Sequence, residues 1–132
     1  MASKAVMDAI GAYVAAGWDA APIYGPNTQS KPPTGRTPFV MMQFPVSGAE
    51  RVGLGRIFQE DGAVRFVVHV AVGSGVDQAL IWADELAELL RERSFDGVQT
   101  WTPSPPTFDD RNEDGGWYRV SVAVPFTRTF EG

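Results

Sequence analysis

The chain contains no cysteine and only one histidine. Without cysteine there is no disulfide, no thiol nucleophile and no thiolate zinc site, so a cytosolic origin fits. The purely apolar runs are far too short to span a bilayer, and no membrane partner is expected. The N-terminal stretch "MASKAVMDAIGAYVAAG" places Lys4 and Asp8 inside its apolar part, which makes a poor secretory signal and a good amphipathic helix. Basic charge is also scarce. Eleven Lys and Arg face sixteen Asp and Glu, for a net charge of −5. Such a balance does not condense on nucleic acid through its overall field, although it suits the wall of a passage along which DNA slides.

What is present describes an ordinary globular protein. The 132 residues suffice for one hydrophobic core, and 44% of them are hydrophobic against 20% charged. Neither an internal repeat nor a domain boundary is visible, so residues 1–132 read as a single domain.

Residues 5–16 place Val6, Ala9, Ile10, Tyr13 and Val14 at helical spacing, with Ser3 as a cap and Gly17 as a stop. A short extended piece, 18–24, follows. The proline-rich 25–38 reads as a long loop of the functional or conformationally variable kind. In 39–46 the alternation predicts a strand with Val40, Met42, Phe44 and Val46 on one face. Asp61-Gly62 carries the two-residue hairpin signal, between arms 56–60 and 63–72. In the second arm Val64, Phe66, Val68, Val70 and Val72 oppose Arg65, Val67, His69 and Ala71. A second helix follows, with the stripe Val76, Ala79, Leu80, Ala83, Leu86, Ala87 and Leu90, a Ser74/Asp77 start, and Arg91 and Arg93 at its negative end. Strands are predicted at 98–102 and from Trp117 onward, the latter alternating Tyr118, Val120, Val122, Val124 and Phe126 with polar and small residues. The expected fold is α+β, with a mainly antiparallel sheet of four to six strands and two helices packed on one face.

Four features invite a chemical reading. Asp110 to Gly115 spell D-x-N-x-D-G, the opening of a calcium loop, but position 12, which must be a bidentate glutamate, is Ser121 inside an alternating strand. A turn explains the glycines, although Asp109, Asp110, Glu113 and Asp114 still crowd negative charge. Gly73-Ser74-Gly75 precedes a helix, yet the dinucleotide pattern fails at Gln78 and no phosphate-loop lysine follows. His69 sits among valines with no thiol or elbow serine as partner. Asp84, Glu88 and Glu92 stack at i, i+4, which reads as a solvated face or a contact toward another subunit. No catalytic residue, cofactor or metal ligand set emerges.

Taken in order, the N-terminal helix with "AAPIYGPNT", the "PFVMMQF" strand, the glycine-rich hairpin, "VAVGSGVDQALIWADELAELL" and "DGGWYRVSVAVPFTRTF" resemble the tail-terminator (tail-completion) proteins of long-tailed bacteriophages and phage-derived gene transfer agents. The resemblance runs over nearly the whole chain. It implies a structural, non-enzymatic subunit of a virion tail, assembled in the bacterial cytoplasm. Its implied partners are copies of itself in a hexameric ring, the tail tube protein and a head-completion or neck protein, with DNA passing through the lumen unbound. The interface residues expected on this reading are Arg51, Arg56, Glu60 and Asp61 on the hairpin and Asp109, Asp110, Glu113 and Asp114 in the acidic turn. A head-closure or neck ring and, more distantly, a small ligand-binding domain are the competing readings.

Overall fold

In the computed structural model the described residues are 2–25, 38–71, 77–108 and 117–132. Helix α1 spans Lys4–Gly17 and starts where expected. Ser3 has an extended backbone, and its hydroxyl accepts from the Val6 amide. Val6, Ala9, Ile10 and Val14 are its buried stripe. Strand β1 (Ile23–Tyr24) then runs parallel to the start of β2 (Phe39–Arg51), and β2 turns back into β3 (Ile57–Ala71). Helix α2 is described over Asp77–Leu90 and buries Ala79, Ala83, Leu86, Ala87 and Leu90. The short strands β4 (Ser94–Phe95), β5 (Val98–Thr100) and β6 (Thr107–Phe108) precede the long β7 (Trp117–Glu131).

The α+β class is as expected. The sheet has seven strands in the order β1-β2-β3-β7-β5-β4, with β6 also on β7. It is mixed, because β1 pairs in parallel while every other pair is antiparallel. The strands beyond the expected four to six are two-residue pieces, too short to show a period in sequence. Between β5 and β6 the chain continues along β7 as an interrupted edge. The Trp101 amide donates to Pro125 O and the Ser104 amide to Ala123 O.

One face of the sheet forms the core with the helices. Val40, Val68 and Val120 lie side by side across three strands, as do Met42, Phe66 and Val122. Removing a fully buried side chain such as Phe66 from water contributes roughly 2–3 kcal/mol. The opposite face has its own aromatic group. Phe39 stacks on His69 with ring centroids 4.4 Å apart, and Trp117 meets Phe39 edge-on at 5.0 Å.

Two expectations fail in β2 and β3. Asp61-Gly62 is not a turn: β3 runs straight through it, and the reversal lies at residues 52–56, where Gly55 has φ +82°. Gly62 is there for close approach. A β-carbon on it would lie 2.3 Å from Val46 O and 3.0 Å from the Phe126 ring. The register shifts between Gln43 and Val46, marking a bulge opposite this point. That shift turns Val46 out of the core face, so it is 64% exposed instead of buried with Val40, Met42 and Phe44.

Candidate assembly surface

Beyond the bulge β2, β3 and the end of β7 continue together, flanked by β5 as far as Arg128 and from there to the turn as a three-stranded ribbon. Arg51 pairs with Phe58, and Phe58 with Phe130 on its other side. Phe58 and Phe130 stack at 5.8 Å, and the Arg128 guanidinium lies 4.9 Å from the centre of the Phe130 ring. The turn at the end is apolar and basic. Leu54 is 97% exposed, Val52 and Ile57 are exposed beside it, and Arg51 and Arg56 flank them. Arg56 Nε donates to Gly132 O, and the Gly132 amide donates back to Arg56 O at 3.0 Å. Gly132 is thereby tied to the turn.

The four hairpin residues expected at an interface divide into three groups. Arg51 and Arg56 come together at the turn, both exposed. Asp61 is exposed midway along the ribbon, opposite Gly48 and Thr127. Glu60 faces the other way and is only 6% exposed. Its carboxylate accepts from the Ser3 amide and the Ser3 hydroxyl, both at 2.7 Å, and lies 3.9 Å from the Arg128 guanidinium. Glu60, expected at an interface, is thus an internal latch between the ribbon and the start of α1. The acidic turn with Asp109, Asp110, Glu113 and Asp114 lies outside the described residues, as does Gly73-Ser74-Gly75.

The far end of α1 shapes a second surface. Trp18 Nε1 donates to Glu85 Oε1 at 3.0 Å, and the Trp18 ring meets Trp82 edge-on at 5.7 Å. Gly17 lets the helices approach so closely that a β-carbon there would lie 2.6 Å from Leu89 Cδ1. Between them opens a shallow cleft of about 550 Å³, lined by Gly17, Trp18, Asp84, Glu85, Glu88 and Leu89. Its lining combines the apolar Trp18 and Leu89 with three carboxylates. Glu88 is partnered by Arg91 on the same helix. A narrower, apolar cleft of about 290 Å³ lies under α1, between Val14, Trp18, Ile23 and Met42.

Two further polar groups are structural anchors, and of these only His69 stood out in the sequence. Thr100 is fully buried. Its hydroxyl accepts from the Arg93 amide at 3.0 Å and donates to Leu90 O, closing the C-terminus of α2. His69 Nδ1 lies 3.1 Å from Val67 O, within the aromatic stack. Among the described residues no three His, Cys, Asp or Glu side chains gather as a metal site would require.

A family model described as phage tail terminator protein matches residues 5–126. No curated protein sequence matches the chain. One solved structure aligns with a TM-score of 0.54 at 21% identity, covering 97% of this chain and 93% of that chain, which is a likeness of fold.

Proposed function

The chain belongs to the phage tail terminator family, and from that premise we propose that it closes the growing tail as a ring. Membership makes it a structural component of a virion tail that interacts with other tail components. The finer reading is ours. Six copies form a ring on the finished tail tube, stop its polymerisation and present the upper surface to a head-completion or neck protein. DNA passes through the lumen, and the net charge of −5 keeps phosphates from sticking to the wall. Neither catalysis nor a cofactor enters this role. Assembly takes place in the bacterial cytoplasm.

The observation that carries the reading is the ribbon. It projects a fully exposed Leu54 with two arginines beside it, an arrangement a lone subunit has no use for. A ring contact is head-to-tail, so each subunit needs two different complementary surfaces, and a projecting arm supplies one of them. Asp61, Asp109, Asp110, Glu113 and Asp114 remain candidate contacts on this reading.

The test is electron microscopy of tail tubes grown with and without the protein. Tubes of defined length ending in a ring are the expected result. Unchanged tube lengths with bare ends overturn the terminator role, and a ring found only on the head vertex supports a neck protein in its place.

A further inference from the structure

We propose that the ribbon turn of one copy seats in the α1–α2 cleft of the next copy, with Leu54 against Trp18 and Leu89 and with Arg51 and Arg56 facing Asp84 and Glu88. The proposal rests on the ring reading above and names the surfaces that would build the ring. Three observations carry it.

The two surfaces match in chemistry. The turn residues 51–57 carry two arginines, no carboxylate and the most exposed large apolar side chain among the described residues. Glu50 precedes Arg51 in β2, Glu131 of β7 pairs with Ile57, and Arg56 also donates to Gly132 O. The cleft is lined by Trp18 and Leu89 and by the carboxylates Asp84, Glu85 and Glu88. Arg91 offsets only Glu88, and Glu85 is held by an indole N–H, which leaves its charge intact. An apolar knob with cationic flanks therefore meets an apolar cleft with an anionic rim, the arrangement that fixes register between subunits.

The two surfaces also lie at opposite ends of the subunit. Ser3 at the start of α1 holds Glu60 in the ribbon, while Trp18 at the other end holds Glu85 at the cleft. The helix between them has 14 residues, about 21 Å at ~1.5 Å per residue. From Glu60 the ribbon continues away toward Arg56, roughly 13 Å further at ~3.3 Å per residue. A turn so placed cannot fold back into its own cleft, so the occupant is another copy.

Finally, a knob and a cleft on different faces let the contact repeat head-to-tail, so that it closes into a ring or runs on as a filament.

The chain's lack of cysteine makes disulfide trapping clean. Leu54→Cys with Leu89→Cys, mixed as isotopically heavy and light chains and oxidised, should give a ladder of covalent multimers on non-reducing gels. Peptide mapping should find heavy-to-light bonds between positions 54 and 89. Asp84→Cys is the second trap, at an exposed position where folding is not at stake. Leu54→Cys with Phe108→Cys should give nothing beyond dimers. Adding Asp84→Lys and Glu88→Lys to the first pair should slow bond formation about tenfold, and adding Arg51→Glu and Arg56→Glu as well should restore it. Rings of the wild-type chain without 54–89 or 54–84 bonds overturn the docking and leave the ring standing. Bonds found only within one chain do the same. A wild-type chain that stays monomeric at millimolar concentration and on tail-tube ends overturns both.

Discussion

Replacing Glu60 with alanine should cost stability, not assembly contacts. The carboxylate receives two hydrogen bonds of 2.7 Å from Ser3 and is 6% exposed. Hydrogen bonds to a charged acceptor contribute roughly 1.5–3 kcal/mol each. Ser3 is only half buried, so water can reach part of what is freed, and the lower end applies. Arg128 can rehydrate once its neighbour is gone. The expected loss is about 3 kcal/mol, which for a chain of this length lowers Tm by roughly 9–15 °C. Glu60→Gln keeps the volume and one acceptor and should lose about half as much.

Ser3 supplies the control. Its hydroxyl donates to Glu60 and also accepts from the Val6 amide at 3.4 Å, so Ser3→Ala removes a latch bond and a helix cap together, at about 1.5–2 kcal/mol. Because the two side chains share a bond, the double variant should be less damaging than the sum, by about 1 kcal/mol. Urea melts of the four proteins, with hydrogen exchange in the first turn of α1, measure this. A Glu60→Ala protein that melts within 3 °C of wild type, yet fails to form rings, would refute the latch and return Glu60 to the subunit interface.

Gly62→Ala should destabilise by about 3 kcal/mol in a urea melt, because its new methyl meets Val46 O in a backbone that cannot step aside. Thr100→Val should cost about 2 kcal/mol by the same assay, leaving Leu90 O and the Arg93 amide without their hydroxyl partner. Arg56→Glu should change folding by less than about 1 kcal/mol while abolishing rings in native mass spectrometry, and an equal loss of Tm would make Arg56 a structural residue. Calcium at about 1 mM should raise Tm by less than about 1 °C. The residue at loop position 12, Ser121, is in the ladder opposite Val67 and Thr107, so a rise of several degrees would reopen the metal reading of Asp110 and Asp114.

The helices and the long strands were legible because their burial follows a period. Val6 to Val14, Val64 to Val70 and Val120 to Phe126 all sit where alternation or helical spacing puts them. What escaped was set by contacts with no period. The parallel strand β1 is fixed by two residues, and the Ser3–Glu60 latch joins positions 57 apart. The bulge after Gln43 inverts Val46 without any mark in the local pattern. Asp61-Gly62 misled for a physical reason. A glycine that relieves a turn and a glycine that admits a neighbouring backbone look alike until the neighbour is known. The assembly surface divides the same way. Arg51 and Arg56 could be read as exposed beside a glycine-rich break, whereas the acidic cleft needed Trp18 and Glu85 to be brought together from 67 residues apart.

Glu60 and Asp61 show how one ribbon can serve both folding and assembly. They are consecutive, so their side chains leave opposite faces of the strand. The inward one is bonded to Ser3 and fixes where the ribbon stands relative to α1. Trp18, at the other end of the same helix, is bonded to Glu85 and fixes where the cleft stands. On the docking proposed above, helix α1 is the spacer between the knob and the cleft, and its 14 residues would set the offset from one subunit to the next. A closed ring demands that this offset repeat with little error, since each subunit's deviation accumulates around the circle. Loosening the latch should therefore weaken ring closure through geometry even though neither docking surface has changed. That loss should track the drop in Tm, whereas Asp84→Lys with Glu88→Lys should weaken the ring and leave Tm where it was.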